Sequence, residues 1–106
     1  GEACLRRDVE LRGEKSGNIY VYAHSLIRLQ TLPADINNEL VAGRIGIGQL
    51  LRTRGLETYR EIIDVFEDST DSRGPVIGRT YRIYLHDLPA ITVTEKFPLR
   101  LYQQTR

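Results

Sequence analysis

Cysteine is almost missing from this 106-residue sequence, where Cys4 stands alone. A single thiol excludes an internal disulfide and any multi-cysteine metal site, and it fits a reducing compartment, so a cytoplasmic location is expected. A dominant charge is lacking too, because 15 Lys and Arg against 14 Asp and Glu leave a formal net charge of +1. With no strong net field, and with basic residues scattered rather than clustered, the chain is not suited to follow a nucleic-acid backbone. Long apolar runs are absent, which argues against a membrane-spanning helix. No basic leader followed by an apolar stretch opens the sequence, so no targeting segment is expected.

What is present is ordinary for a globular domain: 41% hydrophobic and 27% charged residues. The length allows one domain, residues 1–106, with a single modest core.

Residues 5–11 alternate, with Leu5, Arg7, Val9 and Leu11 on one face and Arg6, Asp8 and Glu10 on the other. That is the period of a half-buried strand. A polar turn over residues 12–18 leads into a β-rich run over 19–29, and the two strands are expected to pair as a hairpin. Pro33 opens a short helix carrying Ile36, Leu40 and Val41 at helical spacing, with Gly43 as its stop. Gly46-Ile47-Gly48 reads as a tight turn feeding a second short helix. Further strands are expected over residues 56–67, 76–85 and 90–97, the first two separated by a polar loop ending in Gly74-Pro75. The expectation is therefore an α+β fold, a largely antiparallel sheet of about five strands with two short helices.

Charged residues interrupt the apolar faces. In the last strand Glu95 alternates with Ile91, Val93 and Phe97, as Arg7 does in the first, and Arg79 shares a face with Ile77, Tyr81, Ile83 and Leu85. An unpaired buried charge costs several kcal/mol or more, in order of magnitude, so each of the three needs a partner, a wet cavity or a ligand. Two arrangements satisfy the pattern for Arg7 and Glu95. Either they form an internal ion pair, or Arg7 presents its bidentate fork to a ligand carboxylate while Glu95 accepts a hydrogen bond from a ligand hydroxyl. Arg79 could instead pair with an acid on the 56–67 strand. Gly46 and Gly48 would let backbone amides approach an anion. The third glycine of a dinucleotide fingerprint is missing, however, since Leu51 occupies its position.

His24 and His86 have no acidic cluster at metal-ligand spacing, so no metal site is expected. Ser25 has no base at a readable spacing, and Cys4 reads as a small packed hydrophobe.

Five segments in this order resemble the chorismate lyase family, including its archaeal and cyanobacterial branch. They are Arg7-Asp8-Val9-Glu10-Leu11, Tyr22-Ala23-His24-Ser25-Leu26, Ile45-Gly46-Ile47-Gly48-Gln49-Leu50-Leu51, Arg79-Thr80-Tyr81-Arg82-Ile83, and Pro89 through Thr94-Glu95-Lys96-Phe97-Pro98. The resemblance implies cleavage of chorismate to 4-hydroxybenzoate and pyruvate, toward ubiquinone-type or other 4-hydroxybenzoate-derived products, with no cofactor. Carried over by position, Arg7 matches the arginine at the ring carboxylate and Ile47 the backbone amide assisting it before Gly48. Glu95 matches the acid at the ring hydroxyl, and Arg79 is counted with the substrate-binding residues. Members of the family usually carry a helical segment before the strand holding Arg7. Here that strand begins almost at once, so part of the site's cover is expected to be missing.

Effector-binding domains of one bacterial regulator family resemble the same fold, so an aromatic-acid sensor is the alternative to a lyase. No winged helix accompanies it in this sequence. A third possibility is an inactive or interaction module in which Arg7 and Glu95 simply pair.

Overall fold

In the computed structural model, residues 3–43 and 46–103 are described; Ile45, quoted in the glycine motif, lies outside them. Five strands, β1 (Cys4–Arg12), β2 (Ile19–Arg28), β3 (Thr58–Asp68), β4 (Val76–Leu85) and β5 (Leu88–Pro98), form one sheet. Their order is β1-β2-β5-β4-β3, and every neighbouring pair is antiparallel. The α+β architecture expected from the sequence is therefore present, and strand β4 occupies the residues its alternation indicated.

Two tight connections set the registers. The first hairpin closes over Gly13–Asn18, where the Gly13 amide donates to Asn18 O at 2.9 Å and Gly17 adopts φ +69°. The second turns on His86 and Asp87, both at positive φ (51° and 64°). Two consecutive left-handed residues twist the chain in the sense that antiparallel strands need, and His and Asp tolerate that region better than most side chains.

Helix α1 (Ala34–Ala42) buries Ile36 and Leu40, one turn apart, and ends at Gly43 in the left-handed conformation. Helix α2 (Ile47–Thr53) contributes Leu50 and Leu51. These four side chains join Ile27, Ile83, Leu85, Ile91 and Val93 of the sheet in one core cluster. An ion pair between Arg54 and Asp35 ties the end of α2 back to α1. A third helix, α3 (Leu99–Gln103), follows β5 directly and was not expected from periodicity. No helix among the described residues is long and apolar enough to cross a membrane.

The helices cover only one end of this sheet face. Toward the other end the same face exposes Leu11 (55%), Val65 (69%) and Ile77 (43%). That end is secured from the reverse face by the loop between β3 and β4. There the Arg73 guanidinium lies 4.1 Å from the Tyr22 ring centre, and Lys96 Nζ donates to Asp71 Oδ2 at 2.9 Å. Val76 and Pro98 are fully buried beneath it.

Candidate active site

Where the covered and bare ends of the face meet, a cavity of about 230 Å³ opens. Its walls include Arg7 from β1, Ile47 and Gly48 from the first turn of α2, Arg60 from β3, Tyr81 from β4 and Glu95 from β5. Of the five residues the sequence singled out, four thus converge on one volume. An apolar cavity of about 150 Å³ suffices for benzene, so one substituted six-membered ring fits here. Two larger hollows, of about 290 and 480 Å³, contain neither Arg7 nor Glu95.

Register explains the convergence. Arg7 stands opposite Ser25, and Ser25 opposite Val93, while Glu95 stands opposite Ala23. All of these side chains leave the sheet on the helix-bearing side, since directly opposed residues share a face. Strand β2 lies between β1 and β5, which separates the backbones of Arg7 and Glu95 by roughly 10 Å across the sheet. Ser25 is buried between them at 7% exposure.

Helix α2 brings its first turn to the cavity. Its first internal bond runs from the Leu50 amide to Gly46 O, so the amides of Ile47 and Gly48 precede the helical ladder. The glycine pair was read as a turn before a helix, and Ile47 and Gly48 already belong to the helix's first turn.

Arg79 behaves differently from its sequence reading. It does not line the cavity, and its partner is not an acid of β3. Its Nε donates to Glu95 Oε1 at 2.6 Å, with side-chain exposures of 46% for Arg79 and 20% for Glu95. The reason is register: Arg79 is directly opposite Glu95 on one side and Val65 on the other. An irregularity between Ile62 and Asp64 turns the acid Asp64 toward Thr80 on the opposite face. The hydrogen bond and charge of Glu95 hold the Arg79 proton more tightly than usual.

Two residues of the cavity were missed in the sequence. Tyr81 is only 6% exposed, and burial, followed by the negative charge of Glu95, raises its phenol above the ordinary value. The guanidinium carbons of Arg60 and Arg79 lie 5.3 and 5.6 Å from its ring centre, and their charge acts in the opposite direction. Alternation had put Tyr81 on the face of Glu95, and its place inside a family-like segment was the available signal. For Arg60, alternation gives a face of β3 but not its place in the cavity, which follows from pairing opposite Ile83. On the reverse face His24 Nδ1 lies 2.6 Å from Asp8 Oδ1. No group of three metal-ligating side chains occurs among the described residues.

Chemically, the cavity brings together two guanidinium groups, the first amides of α2, a phenol and one carboxylate on one face of an α+β sheet. The sequence matches the Rv2949c-like chorismate pyruvate-lyase family over residues 1–105, and the chain belongs to that family. It is 33% identical over 111 residues to the chorismate pyruvate-lyase of Mycobacterium leprae, an alignment covering 95% of this chain and 53% of that protein. With the Mycobacterium tuberculosis chorismate pyruvate-lyase the identity is 29% over 103 residues, covering 88% and 52%. The chain thus spans about half the length of the curated relatives it matches.

Proposed function

We propose that this chain carries a chorismate-binding site and takes part in the cleavage of chorismate to 4-hydroxybenzoate and pyruvate. The observation supporting this is that Arg7, Ile47, Gly48 and Glu95 all line one cavity of about 230 Å³. In this reading Arg7 grips the ring carboxylate with the Ile47 amide beside it. Glu95, held at one oxygen by Arg79, receives the ring hydroxyl. Arg79 then acts on the substrate through Glu95.

The reaction breaks the bond between the ring carbon and the ether oxygen, whose electron pair leaves with enolpyruvate. The ring loses one hydrogen as a proton and becomes aromatic, and the enolpyruvate methylene takes up a proton to give pyruvate. Such chemistry asks mainly for orientation and for stabilisation of moving charge. Glu95, anchored on Arg79 and beside the buried Tyr81, suits that role. A cytoplasmic location belongs to the same proposal, supported by the lone cysteine.

The test is to incubate the protein with chorismate and to follow 4-hydroxybenzoate and pyruvate chromatographically, with Glu95→Gln and Arg7→Ala in parallel. Turnover by the parent and its loss in both variants is the expected result. No turnover by the parent would sink the lyase reading, and tight 4-hydroxybenzoate binding without turnover would favour a sensor.

A further inference from the structure

Arg60 is a cation without an assigned task. Among the described residues no carboxylate lies within 4.0 Å of it, and its contact is the face of Tyr81, 5.3 Å from the ring centre. Glu95 is the one acid among the described cavity-lining residues, and Arg79 already offsets it. The Arg60 charge is therefore not neutralised by the site itself.

Its position is as informative as its charge. Arg60 is shared between the ring-sized cavity and an adjoining hollow of about 180 Å³ bounded by Gly48, Leu51, Arg52, Leu56 and Ile83. Gly48 borders both spaces, and a Cβ there would make ordinary contacts with Arg52 Nη1 at 3.4 Å and Arg60 Nη2 at 3.9 Å. Arg7 and Arg60 project from the two edge strands of the sheet, whose backbones are roughly 19 Å apart at four strand spacings. Both side chains line one cavity between those edges.

We infer that Arg60 binds a second carboxylate on the substrate, the one that departs with the pyruvate half, and so separates dianionic substrate from monoanionic aromatic product. This rests on the chorismate reading above. The ring occupies the cavity between Arg7 and Glu95, and the enolpyruvyl arm extends into the adjoining hollow toward Arg60 and Arg52. Once the ether bond breaks, the aromatic product keeps Arg7 and Glu95 but has nothing for Arg60.

Two measurements separate this inference from the reading beneath it. Turnover of chorismate by the parent chain tests the reaction. Calorimetric affinities for 3-(carboxymethoxy)benzoate and for 3-methoxybenzoate, which lacks the second carboxylate, test Arg60 whether or not turnover occurs. The parent is expected to prefer the diacid, and Arg60→Gln to erase that preference by roughly tenfold or more, the scale of a charge-assisted hydrogen bond pair. Arg60→Gln should also raise KM for chorismate by a similar factor while shifting the inhibition constant of 4-hydroxybenzoate less than about twofold. Arg60→Lys should recover part of the loss, and Arg7→Gln should weaken diacid and monoacid alike. Arg60 is exposed, so an unchanged thermal midpoint should accompany these effects. A parent that binds the diacid no better than the monoacid, or an Arg60→Gln loss equal for both, would overturn the inference.

Discussion

One face of one sheet is treated in two ways. At the end under α1 and α2, Ile27, Ile83 and Ile91 are buried to 3% exposure or less, whereas at the other end Leu11, Ile62 and Val65 are more than half exposed. Both ends carry apolar residues in sequence. The difference is that α1 and α2 reach only the first, so apolar composition specifies which face is inward without specifying how far it is covered. Arg7, Tyr81 and Glu95 sit at the boundary between the two. A charged group there has apolar packing on one flank and access to a ligand on the other, which a fully closed core would not allow.

The sharpest way to test this contrast is a pair of truncations. Ile91→Ala should lower unfolding free energy by about 2–5 kcal/mol, since the side chain is fully packed. Val65→Ala, on the bare end, should change it by less than about 0.5 kcal/mol. Urea denaturation of both variants measures the gap, and equal losses would break the comparison.

A smaller effect is expected from behind the bare end. The Asp71 carboxylate accepts the Arg73 amide at 2.9 Å and the Lys96 ammonium at 2.9 Å. These hydrogen bonds, the backbone one first, hold its pKa below the ordinary 3.8. Asp68 is lowered likewise by the hydroxyl and amide of Thr70. A depressed folded-state pKa means that the stabilisation is complete above the ordinary carboxylate range and is lost as pH falls through the folded value. Asp71→Asn should cost about 1–2 kcal/mol at pH 7 and flatten the loss of stability below pH ~4, followed by thermal melts across pH.

The smallest expected change comes from charging the bare end. Val65→Lys should leave unfolding free energy within about 0.5 kcal/mol and independent of protein concentration. A destabilisation that grows on dilution in the parent and vanishes in the variant would show that this end is covered in solution by a second copy.

Alternation carried most of the fold. The strand pattern around Leu5, Ile83 and Ile91 placed Arg7 and Glu95 on the inward face before any geometry was known, because a period of two leaves few alternatives. Pairing partners were less accessible. The irregularity beside Ile63 reverses which β3 side chains face Arg79, and no local signal marks it, so a partner on β5 rather than on β3 is not legible in the sequence. Arg60 was overlooked for a related reason: its alternation is clear, but its nearness to Gly48 arises from a helix packed over a strand distant in sequence. Helix α3 follows β5 without a break, and its five residues are too few for a periodic signal.

The strand order also dictates when the site can exist. Strand β5 lies between β2 and β4, yet it is the last of the five to leave the ribosome. Until it emerges, the β1–β2 hairpin and the β3–β4 hairpin lack the strand that pairs with both, with Arg7 on one and Arg60 and Tyr81 on the other. Insertion of β5 joins the two halves and delivers Glu95 in the same event. Closure of the five-stranded sheet and completion of the cavity wall by Glu95 therefore depend on the same strand.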